Sequence, residues 1–187
     1  WTPHMDENYT IDKAWLNRVK EIADMVLDCG MYAIINVHHD DRFWLITNEE
    51  HEERATLILT TLWAQVSEHF KDYDEHLVFE TMNEPRPCGT EHEWYHNPNS
   101  IISKKFMGAL NKMNQDVVDT IRKSGGNNKY RMIMVPALAA SPDAATTVDF
   151  MMPKDTVENR LAVSVHMYTP YNFAMGSPGD IKFTEAH

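Results

Sequence analysis

Basic residues are the first shortage. Only 17 of the 187 residues are Lys or Arg, against 28 Asp and Glu, for a formal net charge of −11. A surface built to follow phosphates is therefore excluded, and neither nucleic acid nor an anionic membrane is an expected partner. No apolar run approaches the roughly 18 residues of a membrane span, and no charged-then-apolar leader opens the chain. The two cysteines, Cys29 and Cys88, are too few for a disulfide scaffold and form no CxxC motif, so free thiols are expected. Glycine is sparse, at 7 residues, and no repeat, low-complexity tract or Pro/Gly/Ser linker divides the chain. The chain opens on Trp1 without an initiator Met and stops in a polar stretch at His187, which reads as an internal segment with cut ends.

Core material, by contrast, is ample. With 43% hydrophobic and 10% aromatic residues, positions 1–187 are expected to form one globular unit. Short apolar runs alternate with amphipathic stretches, the pattern of a parallel sheet with crossover helices. Asp12 caps a helix whose apolar residues Trp15, Val19, Ile22, Ala23 and Val26 recur at steps of three and four, and Gly30 ends it. Residues 32–37 follow as a strand, then a polar loop, then a helix with Leu59, Leu62, Trp63, Val66 and Phe70 on one face. A strand over 77–82, a loop rich in Pro, Gly and His, and a helix bearing Phe106, Leu110, Met113, Val117 and Ile121 repeat the unit. Strands over 131–135 and 161–165 complete it, with a shorter helix near Ala144–Phe150 between them. An open doubly wound sheet and a segment of a (β/α)8 barrel both fit, and both place chemistry at the carboxyl ends of the strands. No Gly-rich phosphate loop follows any strand, which favours the barrel segment.

Three of the four strand ends carry groups that are costly to bury without partners: His38-His39-Asp40, Asn83-Glu84-Pro85 and His166-Met167-Tyr168. Glu84, on the end of an apolar strand and followed by a proline that restricts the turn, is the candidate proton donor. Asn83 beside it is suited to hydrogen-bond a sugar hydroxyl. The structural alternative is that Glu84 pairs with Arg86 or caps the next turn. His38 and His39, adjacent on an extended backbone, are expected to face opposite ways, with His38 inward, unless the strand already turns there. His166 and Tyr168, two apart, are expected to share a face and a site.

Together, the segments Asn36-Val37-His38-His39-Asp40, Phe79-Glu80-Thr81-Met82-Asn83-Glu84-Pro85-Arg86 and Val165-His166-Met167-Tyr168-Thr169-Pro170-Tyr171 resemble glycoside hydrolase family 5, the cellulase family of retaining (β/α)8 glycosidases. The resemblance runs through the whole chain, from the loop after the family's second strand to the loop after its sixth. It implies an incomplete (β/α)8 TIM barrel and an endo-acting retaining β-1,4-glucanase. By the same resemblance Glu84 is the general acid/base, Asn83 contacts the sugar 2-hydroxyl, His38 lies near the reactive subsite, and His166 and Tyr168 organise the nucleophile. No metal and no organic cofactor is implied. The substrate is a β-glucan polysaccharide or oligosaccharide, with cellulose, mixed-linkage glucan, xyloglucan, xylan and mannan all open, and secretion is expected.

The family's nucleophilic Glu, at the end of its seventh strand, is expected beyond this segment. Glu185 follows Lys182-Phe183-Thr184, which is no apolar strand, and is not assigned that role. A piece with four central strands is expected to be marginally stable or to associate, and to hydrolyse glucan poorly alone. His39, Trp1, Trp44 and Trp94 are candidate sugar contacts, since pyranose rings stack on flat apolar platforms, while Trp15 and Trp63 fall on apolar helix faces and are expected in the core. Two other readings compete: a non-catalytic carbohydrate-binding barrel, and a metal-dependent hydrolase using His38, His39, Asp40, Glu84 and His166.

Overall fold

The structure, a computed structural model, describes residues 1–40 and 49–176. The first helix, α1 (Lys13–Asp28), starts where Asp12 accepts the Trp15 backbone N–H at 2.8 Å, satisfying one of the amides that a helix start leaves unpaired. It ends before Gly30, whose φ of 72° is the left-handed conformation that glycine adopts without a Cβ clash. Then follow β1 (Ala33–Asn36), α2 (Glu49–His69), β2 (Leu77–Glu80), α3 (Ile101–Lys123), β3 (Ile133–Pro136), α4 (Pro142–Ala145), β4 (Leu161–Ser164) and α5 (Tyr171–Ala174). All four strands fall on the expected apolar runs. The helix expected over Ala144–Phe150 is instead a single turn set earlier. Ser141 accepts the Ala144 N–H and Pro142 supplies a preset φ, while Thr146-Thr147-Val148 resists continuation.

The four strands form one parallel sheet in the order β1-β2-β3-β4, with Asn36 opposite Glu80, Phe79 opposite Ile133 and Ile133 opposite Leu161. Its outer face packs on α2 and α3. Leu59, Leu62, Trp63 and Val66 from α2, Phe70 just after its end, and Leu110, Met113, Val117 and Ile121 from α3 are fully buried, as their three- and four-residue spacing requires. Two polar contacts tie these helices to the carboxyl end of β2. Trp63 Nε1 donates to the Thr81 carbonyl at 3.0 Å, and buried Asn114 accepts from Thr81 Oγ1 at 2.7 Å while donating to the Pro136 carbonyl at 3.0 Å. The residues that follow Thr81 therefore leave the sheet from a fixed position. Trp15 packs at the margin of the core with the His4 ring stacked on it at 3.8 Å. Neither Cys29 nor Cys88 forms a disulfide.

At the opposite, amino-terminal edge of the sheet, Arg131 turns into the core instead of joining β3. Its guanidinium donates to the carbonyls of Phe70, Tyr73, Asp74 and Leu77 and to Asn128 Oδ1, at 2.6–3.0 Å, and lies over the Phe79 ring. Arg122 pairs with Asp155 beside it.

The α2 terminus carries a pH-sensitive contact. His69 Nε2 is buried without a hydrogen-bond partner among the described residues, and burial holds its pKa below the usual value of 6.5, with the Lys20 charge adding to the effect. The unfolded chain thus takes up a proton at a higher pH than the folded one, so stability contributed by neutral His69 is lost as pH falls below about 6.5. The urea midpoint is expected to be lower at pH 5 than at pH 7, and His69→Phe is expected to shrink that difference. An unchanged pH dependence in the variant would refute this assignment.

Candidate active site

The carboxyl ends of β1, β2 and β4 converge on the concave face of the sheet. The β1–β2 ladder continues past the strands through Asn83 N–H to the Val37 carbonyl at 2.9 Å, and the Ala139 N–H bonds the Pro85 carbonyl at 2.7 Å. These contacts grip Asn83-Glu84-Pro85 from both neighbouring strands. Beyond β4, the His166 N–H is held by the Ala140 carbonyl at 2.8 Å. Across β3, His166 Nδ1 meets Glu84 Oε1 at 2.7 Å, with the two side chains 26% and 16% exposed. A contact between the ends of two strands that are not neighbours requires a strongly curved sheet. Among the described residues, Glu84 thus has one carboxyl oxygen held by His166 and no hydrogen-bond partner at Oε2.

Glu84 does not pair with Arg86 through its carboxylate. Arg86 Nη1 instead takes the Glu84 backbone carbonyl at 3.0 Å, its Nε reaches Glu93 at 3.3 Å, and its guanidinium lies 4.2 Å from the centre of the Trp94 ring. Trp94 is 60% exposed. On either side of it, buried His92 bonds Ser100 at 3.1 Å and buried His96 bonds Ser103 at 2.9 Å and Asp149 at 3.0 Å. Residues 92, 94 and 96 thus alternate inward, outward and inward, which anchors the loop while presenting Trp94 on the surface.

Both histidines at the end of β1 are exposed. The strand stops at Asn36 and His39 adopts φ of 62°, so the two rings meet edge to face at 4.0 Å instead of pointing to opposite sides. The turn at the strand's end overrides the alternation. Trp1 donates through Nε1 to the Asn36 carbonyl at 2.8 Å and lines, with His38, a groove of about 630 Å³ between α1 and β1. Asn83 makes no side-chain hydrogen bond among the described residues. Tyr168 is half exposed and makes no hydrogen bond to Glu84 or His166, whereas His166 is in direct contact with Glu84. Trp44 and Glu185 lie outside the described residues. No group of three or more His, Cys, Asp or Glu side chains among the described residues is arranged to hold a metal ion.

Sequence reading passed over a second carboxylate on the same strand. Glu80, 5% exposed, accepts from Asn36 Nδ2 at 2.7 Å and from Ser164 Oγ. The signal was there in principle: a charged residue within an apolar strand, four before Glu84.

A curved parallel sheet whose carboxyl edge carries a carboxyl held by an imidazole has the arrangement of a segment of a (β/α)8 barrel, with its candidate site at the strand ends. The family description "Cellulase (glycosyl hydrolase family 5)" matches residues 1–186, and the chain belongs to that family. It is 46% identical over 181 residues to the cellulase/esterase CelE of Acetivibrio thermocellus, covering 96% of this chain and 21% of that protein. It is 43% identical to endoglucanase B of Clostridium cellulovorans, covering 93% and 38%. Among solved structures, a glycoside hydrolase 5 lichenase from a Caldicellulosiruptor species, in complex with cellotetraose, superposes with a TM-score of 0.91 at 40% identity, covering 96% of this chain and 49% of that one. A broad-specificity endoglucanase from Ruminococcus champanellensis with bound cellotriose gives 0.90 at 41% identity, covering 100% and 53%. The chain thus spans about half the length of these solved relatives, and its four strands are part of a (β/α)8 barrel.

Proposed function

We propose that this chain carries the acid/base part of the active site of a retaining endo-β-1,4-glucanase, with Glu84 as the general acid and base. The observation that supports this reading best is the asymmetry of the Glu84 carboxyl: Oε1 held by His166 at 2.7 Å, Oε2 without a partner among the described residues. A carboxyl fixed through one oxygen presents the other to the glycosidic oxygen in one orientation, which a positioned proton donor requires. In a retaining enzyme the same group then deprotonates the water that releases the glycosyl intermediate. Glu80 is not suited to the nucleophile's role, since both of its oxygens accept hydrogen bonds from the protein and it is 5% exposed. The attacking carboxylate is therefore proposed to lie outside the described residues.

Asn83, His38 and His166 are proposed to border the reacting sugar, and Tyr168 to act near it from its exposed position. His39, Trp94, Trp1 and Trp44 are proposed as contacts for the rest of the glucan. Relatives that bind cellotetraose and cellotriose support a β-1,4-linked glucose oligomer or polymer as substrate.

The test is the full-length protein on barley β-glucan and unsubstituted soluble cello-oligosaccharides, with the first-formed anomer read by proton NMR. Release of internal fragments with the β-anomer appearing first is expected, unchanged by a strong chelator. Binding without reducing-end release would favour the non-catalytic alternative, and loss of activity to the chelator would favour the metal-dependent one.

A further inference from the structure

Under the site lies a buried polar cluster with no part in the proposed reaction. Barrel interiors are filled mainly by bulky branched side chains. Here Asn36 of β1, Glu80 of β2 and Ser164 of β4 occupy one level, with Glu80 accepting from Asn36 Nδ2 at 2.7 Å and from Ser164 Oγ. Asn36 and Glu80 are register partners on neighbouring strands, whereas Ser164 lies two strands away, so the Glu80 side chain reaches across β3. Glu80 and Ser164 are 5% and 2% exposed. Burying a carboxylate costs free energy even when its oxygens are satisfied, and apolar residues would fill the same space without that cost.

The three residues share a relation to the site. Asn36 stands two before His38, Ser164 two before His166, and Glu80 four before Glu84 on the strand that supplies the acid/base. The hydrogen bonds at this level thus tie together the three strands whose next level is the site. The link from Glu80 to Ser164 spans the same pair of strands as the link from Glu84 to His166 at 2.7 Å. We propose that Glu80 is a positioning residue: through Ser164 it sets β4 against β2 so that His166 Nδ1 holds the Glu84 carboxyl in its proton-donating orientation. This rests on the reading of Glu84 as the acid/base.

Leaving-group dependence separates this role from a merely structural one. Cellotetraose has a poor leaving group that needs protonation, whereas 2,4-dinitrophenyl β-cellobioside has one that departs without it. In the full-length protein, Glu80→Ala and Ser164→Ala are expected to lower kcat/KM on cellotetraose by about 10- to 100-fold, the cost of a displaced catalytic group. On the dinitrophenyl substrate the same variants are expected to lose less than about 3-fold. Glu80→Gln, whose amide can accept from Asn36 and donate to Ser164, is expected to stay near wild type on both. Ser164→Ala removes a single hydroxyl and carries the test if Glu80→Ala does not fold. Equal losses on both substrates, no loss in Ser164→Ala, or a Glu80→Gln defect as large as that of Glu80→Ala would overturn the proposal. Glu84→Gln serves as the control: if it loses equally on both substrates, the acid/base reading is what fails.

Discussion

Glu84→Gln is expected to lower kcat/KM on β-glucan or cellotetraose by about 10²- to 10⁴-fold, the range that a positioned general acid contributes. The substitution leaves the fold almost untouched. The amide oxygen of Gln can accept from His166 Nδ1 as the carboxylate oxygen does at 2.7 Å, and the side chain is 16% exposed, so no buried charge is stranded. What is removed is the proton at the second oxygen. The thermal midpoint is therefore expected to stay close to that of the parent while turnover falls. Initial rates on cellotetraose with a thermal melt on the same preparation separate the two effects. Turnover within about 3-fold of wild type would remove Glu84 from the catalytic role.

The largest stability effect is expected far from the site. Arg131, 2% exposed, donates to four backbone carbonyls and to Asn128 Oδ1, all at 3.0 Å or less. Burial pushes its pKa down to about 10, still well above neutrality, so the guanidinium is charged at pH 7. Arg131→Met fills most of the volume but removes all five hydrogen bonds at once, and the Phe70, Tyr73 and Asp74 carbonyls keep only one longer partner each, at 3.1–3.3 Å. Each unsatisfied buried acceptor costs about 1–3 kcal/mol, and a total of about 4 kcal/mol or more is expected. That is comparable with the whole stability of many domains. Arg131→Lys is expected to recover little of it, since an ammonium with three donors does not match five acceptors arranged around a planar fork. Urea unfolding followed by circular dichroism measures both variants, and a loss below about 1 kcal/mol in Arg131→Met would contradict the account.

Arg131 also marks where reading by sequence stopped. Its position beside an apolar run suggested the start of a strand. The observed β3 begins at Ile133, because the guanidinium finds its acceptors in the turn after α2 and at the start of β2, more than fifty positions away in the chain. Periodicity carries no information about such partners. The helices were legible because their signals are local. Asp12 accepts from Trp15 N–H three residues on, Gly30 takes the left-handed turn, and the apolar faces of α2 and α3 are written at three- and four-residue steps. Where two local signals competed, the stronger start won: Ser141-Pro142 moved α4 ahead of its expected position.

The candidate site divides in the same way. Glu84, His38 and His166 were legible as ionisable residues at the ends of apolar strands, since few other places tolerate them. Their mutual geometry was not. The Glu84–His166 contact and the Glu80–Ser164 contact both cross β3, and they exist only because the sheet curves enough for strands that are not neighbours to touch. His39 shows a similar limit on a smaller scale, as a φ of 62° at the strand's end brings its ring to His38 against the alternation of an extended backbone.

By itself, then, the sequence determined which residues stand at the carboxyl edge of a parallel α/β sheet and which helix faces cover it. Those properties follow from burial and from hydrogen bonds a few residues apart. Only the tertiary structure decided that the Glu84 carboxyl is held through one oxygen, that Arg86 serves Trp94 and a carbonyl instead of that carboxyl, and that a buried Glu80 underlies the site. Each of these depends on groups distant in the chain, or displaced from regular strand geometry, meeting at hydrogen-bond or stacking distance, which the curvature of the sheet and the packing of its helices set.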